Sequence, residues 1–223
     1  MSDTVEMRHV MVSSQIRPCD TSFGASETIM QAFNRIPREK FVPRQLRRIA
    51  YMDDEFPLLH GRFMLRPQVF SRMLSAAKPR AQDRVLHVGC GLGYGSAILS
   101  ELCDFVVGLE SCTDLSQQAE ATLSVMEAQG IEIVNGPLTG GWNEYSPYSL
   151  IVIEGKIEFC PEEILNQLQD QGRIVAIKQQ LDGRSEAVLI QKNQEVFTEI
   201  PQFDAHSPFL EGFALPQEFV FAD

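Results

Sequence analysis

The sequence is predicted to fold as an α/β protein with a doubly wound, mostly parallel sheet, and three observations predict this class. From Arg84 onward, short apolar runs alternate with helical patterns, and fully apolar strands are typical of a parallel sheet covered on both faces. A glycine cluster stands between the first of these runs and the first of these helices. The last two runs flank Lys192-Asn193-Gln194 as a hairpin, which adds an antiparallel pair at one end of the sheet.

The hydrophobic period predicts the individual elements. Before the sheet, helices are expected over residues 7–15, 26–35, 44–50 and 69–77, with Pro18, Pro37 and Pro79 as breakers and a loop over 51–66. Strands are expected over 85–88, 105–109, 131–134, 150–153 and 173–177, helices over 95–102, 115–126 and 162–169, and the hairpin strands over 187–190 and 195–200. We expect an N-terminal helical extension over residues 1–78 and a Rossmann-like domain over 79–223, packed as one compact unit.

Composition excludes several classes of function. A chain of 223 residues is one ordinary domain, and its net charge of -11 argues against a nucleic-acid partner. The five cysteines include no Cys-x-x-Cys pair, which argues against a disulfide framework and a zinc site, so we expect no metal and a cytoplasmic location. No signal peptide opens the sequence and no apolar run approaches about 18 residues, so we expect no membrane association.

The glycine cluster predicts a ligand site. Gly89, Gly91 and Gly93 follow the first strand as Gly-x-Gly-x-Gly, and glycines let a ligand approach bare backbone. A dinucleotide fingerprint would need glycine at Tyr94, so a pyrophosphate ligand is disfavoured. Glu110 ends the next apolar run, at the distance where an acid can hold two ribose hydroxyls. A ligand with a ribose and no bridging phosphate fits, and S-adenosylmethionine (SAM) is such a ligand.

Three segments together resemble a known family. Pro37-Arg38-Glu39-Lys40-Phe41-Val42-Pro43, then Ala50-Tyr51-Met52-Asp53, then Val85-Leu86-His87-Val88-Gly89-Cys90-Gly91-Leu92-Gly93-Tyr94 resemble the protein-L-isoaspartate O-methyltransferases in order and spacing. The likeness runs from about residue 11 to 177. It implies a class I SAM-dependent methyltransferase fold with S-adenosylhomocysteine (SAH) as product. It also implies bacterial protein repair, by methylation of the stray carboxylate of an isoaspartyl residue in a protein or peptide.

The resemblance implies two groups of site residues. The active-site loop of the family matches Met64, Leu65 and Arg66, which are therefore the candidate catalytic positions, within the substrate loop of the extension. The candidate cofactor-binding residues are His87, Gly89, Cys90, Gly91, Gly93, Glu110, Ser111, Pro137, Leu138 and Glu154.

The sequence departs from the family pattern at the site. Where members carry Gly-Gln-Thr-Ile-Ser-Gln-Pro, with the serine near the transferred methyl, Leu65 occupies the serine position. The Gly-Asp-Gly before a tryptophan becomes Gly136-Pro137-Leu138 before Trp142, which removes the acid expected near the adenine. Where the family has an aspartate at the start of the fourth strand, this chain has Ser149. Where the family has an acid in the first strand, this chain has His87.

The chemistry of methyl transfer leaves several roles open. The reaction is an in-line displacement, and a carboxylate with an unperturbed pKa of about 4 is ionised and needs no base. Arg62 or Arg66 could anchor that carboxylate, or both could lie on a solvated loop. Glu154 could line the pocket or be a plain loop acid, and His87 could line it or be a satisfied core histidine. Cys90 is expected to pack rather than to react.

Three hypotheses follow. The first is a SAM-dependent methyltransferase that acts on a carboxylate, with altered repair activity because of Leu65. The second is a binding module that has kept the fold and lost catalysis. The third is a methyltransferase for another nucleophile, for which Glu154 or His87 would be the general base.

Overall fold

A computed structural model of the chain describes residues 3–17 and 25–215. The N-terminal part begins with α1 (Asp3–Met11), a π-helical turn (Val12–Ile16) and α2 (Glu27–Arg35), followed by 3-10 turns at Arg38–Lys40 and Arg44–Ile49. A two-stranded ribbon of β1 (Phe56–Pro57) and β2 (Phe63–Met64) precedes α3 (Pro67–Ala77). None of the helices in the described ranges is both long and apolar enough to cross a membrane.

The remaining elements build one seven-stranded sheet. Along the chain they are β3 (Arg84–Val88), α4 (Tyr94–Ser100), β4 (Phe105–Glu110), α5 (Thr113–Val125), β5 (Ile131–Asn135), β6 (Tyr148–Ile157), α6 (Glu162–Asn166), β7 (Leu168–Gln179), β8 (Ser185–Asn193) and β9 (Val196–Asp204). The strand order is β5-β4-β3-β6-β7-β8-β9; the first five strands pair in parallel, whereas the β7–β8 and β8–β9 pairings are antiparallel. The predicted fold class is therefore confirmed, including the antiparallel hairpin.

Two predicted helices differ from the structure. The helix expected over 7–15 begins earlier, at Asp3, and continues as a π-helical turn, while Pro18 lies outside the described residues. The helix expected over 162–169 is wrong at its end, because α6 stops at Asn166 and Leu168 already opens β7. Leu168 is buried, so pairing in the sheet prevails over its helical spacing. The division of the chain at residue 78 stays a prediction.

Arg38 joins the N-terminal extension to the rest of the molecule. It is fully buried, and its guanidinium donates from Nε to the Ala50 carbonyl at 2.9 Å and from Nη2 to the Leu65 carbonyl at 2.8 Å. The guanidinium carbon also lies 4.9 Å from the centre of the Tyr94 ring, at the start of α4. Burial lowers the pKa of Arg38. One side chain thus fixes the extension, the loop and the helix after the glycine turn.

We expect Arg38→Lys to lower the free energy of unfolding by about 1–3 kcal/mol, because a lysine cannot satisfy both buried carbonyls at once. Urea denaturation measures this change. Arg35→Lys is the matched control, since Arg35 is exposed and forms an ion pair with Glu101 at 2.8 Å. Equal stability of the Arg38 variant and the wild type would contradict the role of this contact.

Asp83 and Arg173 form a second buried anchor, beneath the amino ends of the strands. Asp83 Oδ2 lies 2.6 Å from Arg173 Nη2, and Ser149 Oγ donates to Asp83 Oδ1 at 2.8 Å. Burial by itself raises the pKa of Asp83, but the hydrogen bonds from Arg173 and Ser149 outweigh it and hold this pKa below its usual value. Ser149, which stands where the family has an aspartate, therefore serves the fold here.

Asp83 contributes stability that depends on pH. Because its pKa is lower in the folded chain, this contribution is complete above its unfolded pKa of about 4 and is lost as the pH falls through the folded value. Unfolding free energies of wild type and Asp83→Asn, measured from pH 7 down to pH 2, should therefore converge at the acid end. A difference that stays constant over this range would contradict the assignment.

Candidate cofactor and active site

The candidate site lies at the carboxyl edge of β3, β4 and β6. The chain moves from β3 to β4 and β5 on one side and then returns to place β6 on the other side of β3. Open α/β sheets bind ligands at such a switch point. His87 in β3, Glu110 at the end of β4 and Glu154 in β6 all belong to this region. The topology therefore brings together three residues that are far apart in the sequence.

The glycine turn is tied to the end of β4 by backbone hydrogen bonds. The N–H groups of Gly89 and Cys90 both donate to the Leu109 carbonyl, at 2.8 and 3.1 Å. Gly89 and Gly93 have φ angles of +80° and +89°, which residues with a Cβ rarely adopt. The turn predicted from the glycine spacing is thus present.

Glu110 is fully buried and has no free oxygen. The backbone N–H groups of Gly91 and Cys112 donate to it at 2.8 and 3.1 Å. Arg62 donates from Nε to Oε1 at 3.1 Å and from Nη2 to Oε2 at 3.2 Å. The Ser111 hydroxyl adds a contact of 3.4 Å. The acid expected to hold a ribose instead holds an arginine of the same chain.

Side chains fill the space above the glycine backbone. An ideal Cβ on Gly89 would lie 2.6 Å from Arg62 Nη2 and 2.9 Å from Leu210 Cδ1. An ideal Cβ on Gly91 would lie 2.9 Å from Leu58 Cδ1. Neither Leu58 nor Leu210 was predicted to be here, because no sequence pattern connects them with the glycine turn.

A tight turn between β1 and β2 carries Arg62 into the site. The Leu58 N–H donates to the Arg62 carbonyl at 2.7 Å, and the Arg62 N–H donates to the Leu59 carbonyl at 3.0 Å. His60 and Gly61 at its tip have positive φ angles of 52° and 71°. Arg62 is only 3% exposed. The alternative of a solvated loop residue is therefore wrong for Arg62.

The three candidate catalytic positions divide between core and surface. Met64 and Leu65 are buried, whereas Arg66 is exposed at the start of α3. The Leu65 N–H donates to Glu154 Oε1 at 3.2 Å, and its carbonyl accepts from Arg38. The loop position of the family's serine is thus held against an internal carboxylate. The catalytic role of the three residues stays a prediction.

His87, Ser96 and Glu154 form a buried polar row. His87 Nδ1 lies 2.9 Å from Ser96 Oγ, and His87 Nε2 lies 2.9 Å from Glu154 Oε2. His87 and Ser96 are fully buried, and Glu154 is nearly so. The contact between His87 Nε2 and Glu154 Oε2 lacks hydrogen-bond geometry, and the row is covered by the ring of Phe70 and by the loop at Leu65. It supports the core alternative for His87.

Cys90 and Leu138, in the turn after β5, are both buried. Burial raises the pKa of the Cys90 thiol well above its usual value, so the thiol stays neutral and is a poor nucleophile. Leu138 is buried in the hydrophobic cluster that contains Leu109, Trp142 packs against this cluster, and Pro137 precedes a 3-10 turn. These observations favour packing for Cys90 and leave the cofactor role of Pro137 and Leu138 a prediction.

A cavity of about 390 Å³ opens beside Glu110. Its lining residues are His60, Arg62, Ser111, Cys112, Thr113, Asp114 and Glu211. Ser111, a predicted cofactor residue, bridges to Glu211 with a hydrogen bond of 3.1 Å. Within residues 3–17 and 25–215, no group of three or more His, Cys, Asp or Glu side chains is arranged to hold a metal.

Comparisons with known proteins agree with the fold and the motifs. A family model described as protein-L-isoaspartate(D-aspartate) O-methyltransferase matches residues 15–205. A protein-L-isoaspartate O-methyltransferase of Opitutus terrae is 35% identical over 172 residues, which is 77% of this chain and 72% of the relative. One of Methanoculleus marisnigri is 36% identical over 169 residues, 76% of each chain.

Two solved structures have the same fold. One, a protein-L-isoaspartate O-methyltransferase, has a TM-score of 0.78 and 22% identity, with 93% of this chain and 66% of that chain covered. The other, from Plasmodium falciparum in complex with SAH, has a TM-score of 0.76 and 15% identity, with 95% and 99% covered. The family match and the relatives above 30% identity establish membership: the chain belongs to the protein-L-isoaspartate(D-aspartate) O-methyltransferase family.

Proposed function

We propose that the chain is a SAM-dependent O-methyltransferase that methylates an isoaspartyl-type carboxylate of protein, as a step of protein repair in a bacterial cytoplasm. The observation that carries this proposal is the family match over residues 15–205. The switch-point crevice, with its glycine turn and a carboxylate at the end of the second strand of the sheet domain, supports it.

The residue types suit SAM, but this conformation does not accept it. Glu110 is the group that would bind the ribose hydroxyls of SAM. The bare backbone of Gly89 and Gly91 would contact the cofactor in the glycine turn. In the structure, Arg62 takes both oxygens of Glu110, and Arg62, Leu210 and Leu58 cover the glycines. Cofactor binding therefore requires these side chains to move.

The acceptor end of the site is lined by apolar side chains, and its Leu65 N–H already donates to Glu154. Phe63, Met64 and Leu65 are all buried, and the Leu65 N–H faces Glu154. An ionised carboxylate acceptor needs no base, so this end has only to bind and orient it. Without the hydroxyl of the family's serine, we expect weak binding of the acceptor and slow repair.

Calorimetric titration with SAH tests the cofactor half of the proposal. We expect heat of binding with wild type, and a loss of about 10-fold or more in affinity for Glu110→Gln, because an amide is a weaker acceptor for a hydroxyl pair than a carboxylate. If neither wild type nor a variant with Arg62 removed binds SAH, the proposal fails.

Transfer of labelled methyl to an isoaspartyl peptide tests the acceptor half, with the matching aspartyl peptide as the negative substrate. We expect label on the isoaspartyl peptide alone, and kcat/KM about 10-fold higher for Leu65→Ser than for Leu65→Ala, since only serine restores a hydroxyl donor. Leu65→Ala removes the same buried alkyl group and so controls for lost packing. Equal rates for the two variants would show that position 65 does not contact the acceptor.

A binding module without catalysis is the second candidate. The filled crevice and the leucine at the serine position favour it. It predicts that cell extract incubated with saturating labelled SAM accepts no methyl group from the wild type or from Leu65→Ser. Methylation of an extract component other than an isoaspartyl protein would instead support the third hypothesis, in which Glu154 or His87 is the general base.

A further inference from the structure

We infer that Arg62 is an internal competitor for the cofactor crevice: its guanidinium takes the place of the ribose hydroxyls on Glu110, so SAM binds only when the segment 58–62 swings out. The inference rests on the proposed function and concerns the regulation of that same site. Three independent features carry it, namely the hydrogen bonds of Glu110, the space above Gly89 and the construction of the segment.

The hydrogen bonds of Glu110 make the two ligands mutually exclusive. A carboxylate offers about four lone-pair positions. Gly91 N–H, Cys112 N–H and the two-pronged contact from Arg62 occupy them in the structure, with Ser111 Oγ at a longer distance. A ribose diol would need the positions that Arg62 holds. Glu110 can therefore bind Arg62 or a ribose, but not both.

The space above Gly89 leads to the same conclusion. Arg62 Nη2 and Leu210 Cδ1 both come within 2.9 Å of the position that a Cβ on Gly89 would take. A ligand that contacts this bare backbone has to occupy the same volume. The absence of a Cβ at Gly89 thus admits Arg62 in the present conformation, and would admit the ligand once Arg62 has left and the Leu210 side chain has shifted.

The segment 58–62 is built so that it can move without the rest of the loop. Its ends adjoin the ribbon of β1 and β2, which is not paired with the seven-stranded sheet. Leu59, His60 and Gly61 at the tip are exposed. Leu65, in contrast, is held on both sides by Arg38 and Glu154. Movement at the tip therefore leaves the acceptor end of the loop in place.

The exchange lowers the apparent affinity for the cofactor, since only the open fraction of the molecules is competent to bind. Removal of Arg62 should then change both the affinity for SAH and the stability of the unliganded protein, in opposite directions. It raises the affinity for SAH, because the competitor is gone. It lowers the stability of the unliganded protein, because Glu110 is left buried without its counter-charge.

The test compares SAH titrations and thermal unfolding of wild type, Arg62→Met and Arg62→Lys. We expect Arg62→Met to bind SAH at least about 10-fold more tightly, to unfold at a lower temperature without ligand and to gain a larger thermal shift on SAH addition. Arg62→Lys keeps the charge, loses the two-pronged contact and should lie between the two. Arg48→Met controls for loss of an exposed arginine and should match wild type.

If the Arg62 variants do not fold, a measurement on the wild type alone still tests the inference. Backbone amide exchange over residues 58–62 should become faster on addition of SAH, because displacement of the segment opens the hydrogen bond from the Leu58 N–H to the Arg62 carbonyl. Slower or unchanged exchange would overturn the inference.

The outcomes separate the inference from the proposed function. Binding of SAH by wild type with equal or weaker binding by Arg62→Met would overturn the inference and leave the function intact, because Arg62 would then hold Glu110 in place for the ribose. Absence of SAH binding in wild type and both Arg62 variants would contradict the proposed function, and the inference with it.

Discussion

The buried carboxylate of Glu110 is the constraint on which the crevice depends. It accepts hydrogen bonds from Gly91 in the glycine turn, from Cys112 at the start of α5 and from Arg62 in the loop before α3. A charge removed from water has to be compensated by hydrogen bonds and an opposite charge. Three segments that are distant in the sequence therefore converge on one side chain, and any ligand of that carboxylate competes with the protein itself.

A second set of buried contacts keeps the acceptor end of the loop in position. Arg38, within the Pro-Arg-Glu-Lys-Phe-Val-Pro signature, binds the Leu65 carbonyl, while Glu154 accepts the Leu65 N–H. The most specific signature of the family in this chain therefore has a structural purpose that can be seen here: it fixes the backbone at the position where the family has its serine. Two hydrogen bonds hold the loop there, whereas Leu59, His60 and Gly61 at its tip are exposed.

Fold and turn could be predicted because they depend on local patterns. Apolar runs, helical spacing and the Gly-x-Gly-x-Gly turn each express an interaction within a few residues, and the sheet has the predicted order of strands and helices. The end of α6 was mispredicted because it depends on a contact between residues that are distant in the sequence. Leu168 has helical spacing relative to α6, yet its burial in the sheet depends on its pairing opposite Tyr148, which no window of sequence contains.

What the sequence alone determined was the fold class, the family, the glycine turn and the acid at the end of β4. Only the tertiary structure decided what fills the crevice. Arg62 lies 48 positions before Glu110, and Leu210 lies far beyond it, so their meeting depends on how the loop and the C-terminal segment fold over the sheet. The sequence shows that Arg62 carries a charge but not where that charge is neutralised, because burial and pairing are properties of the folded chain.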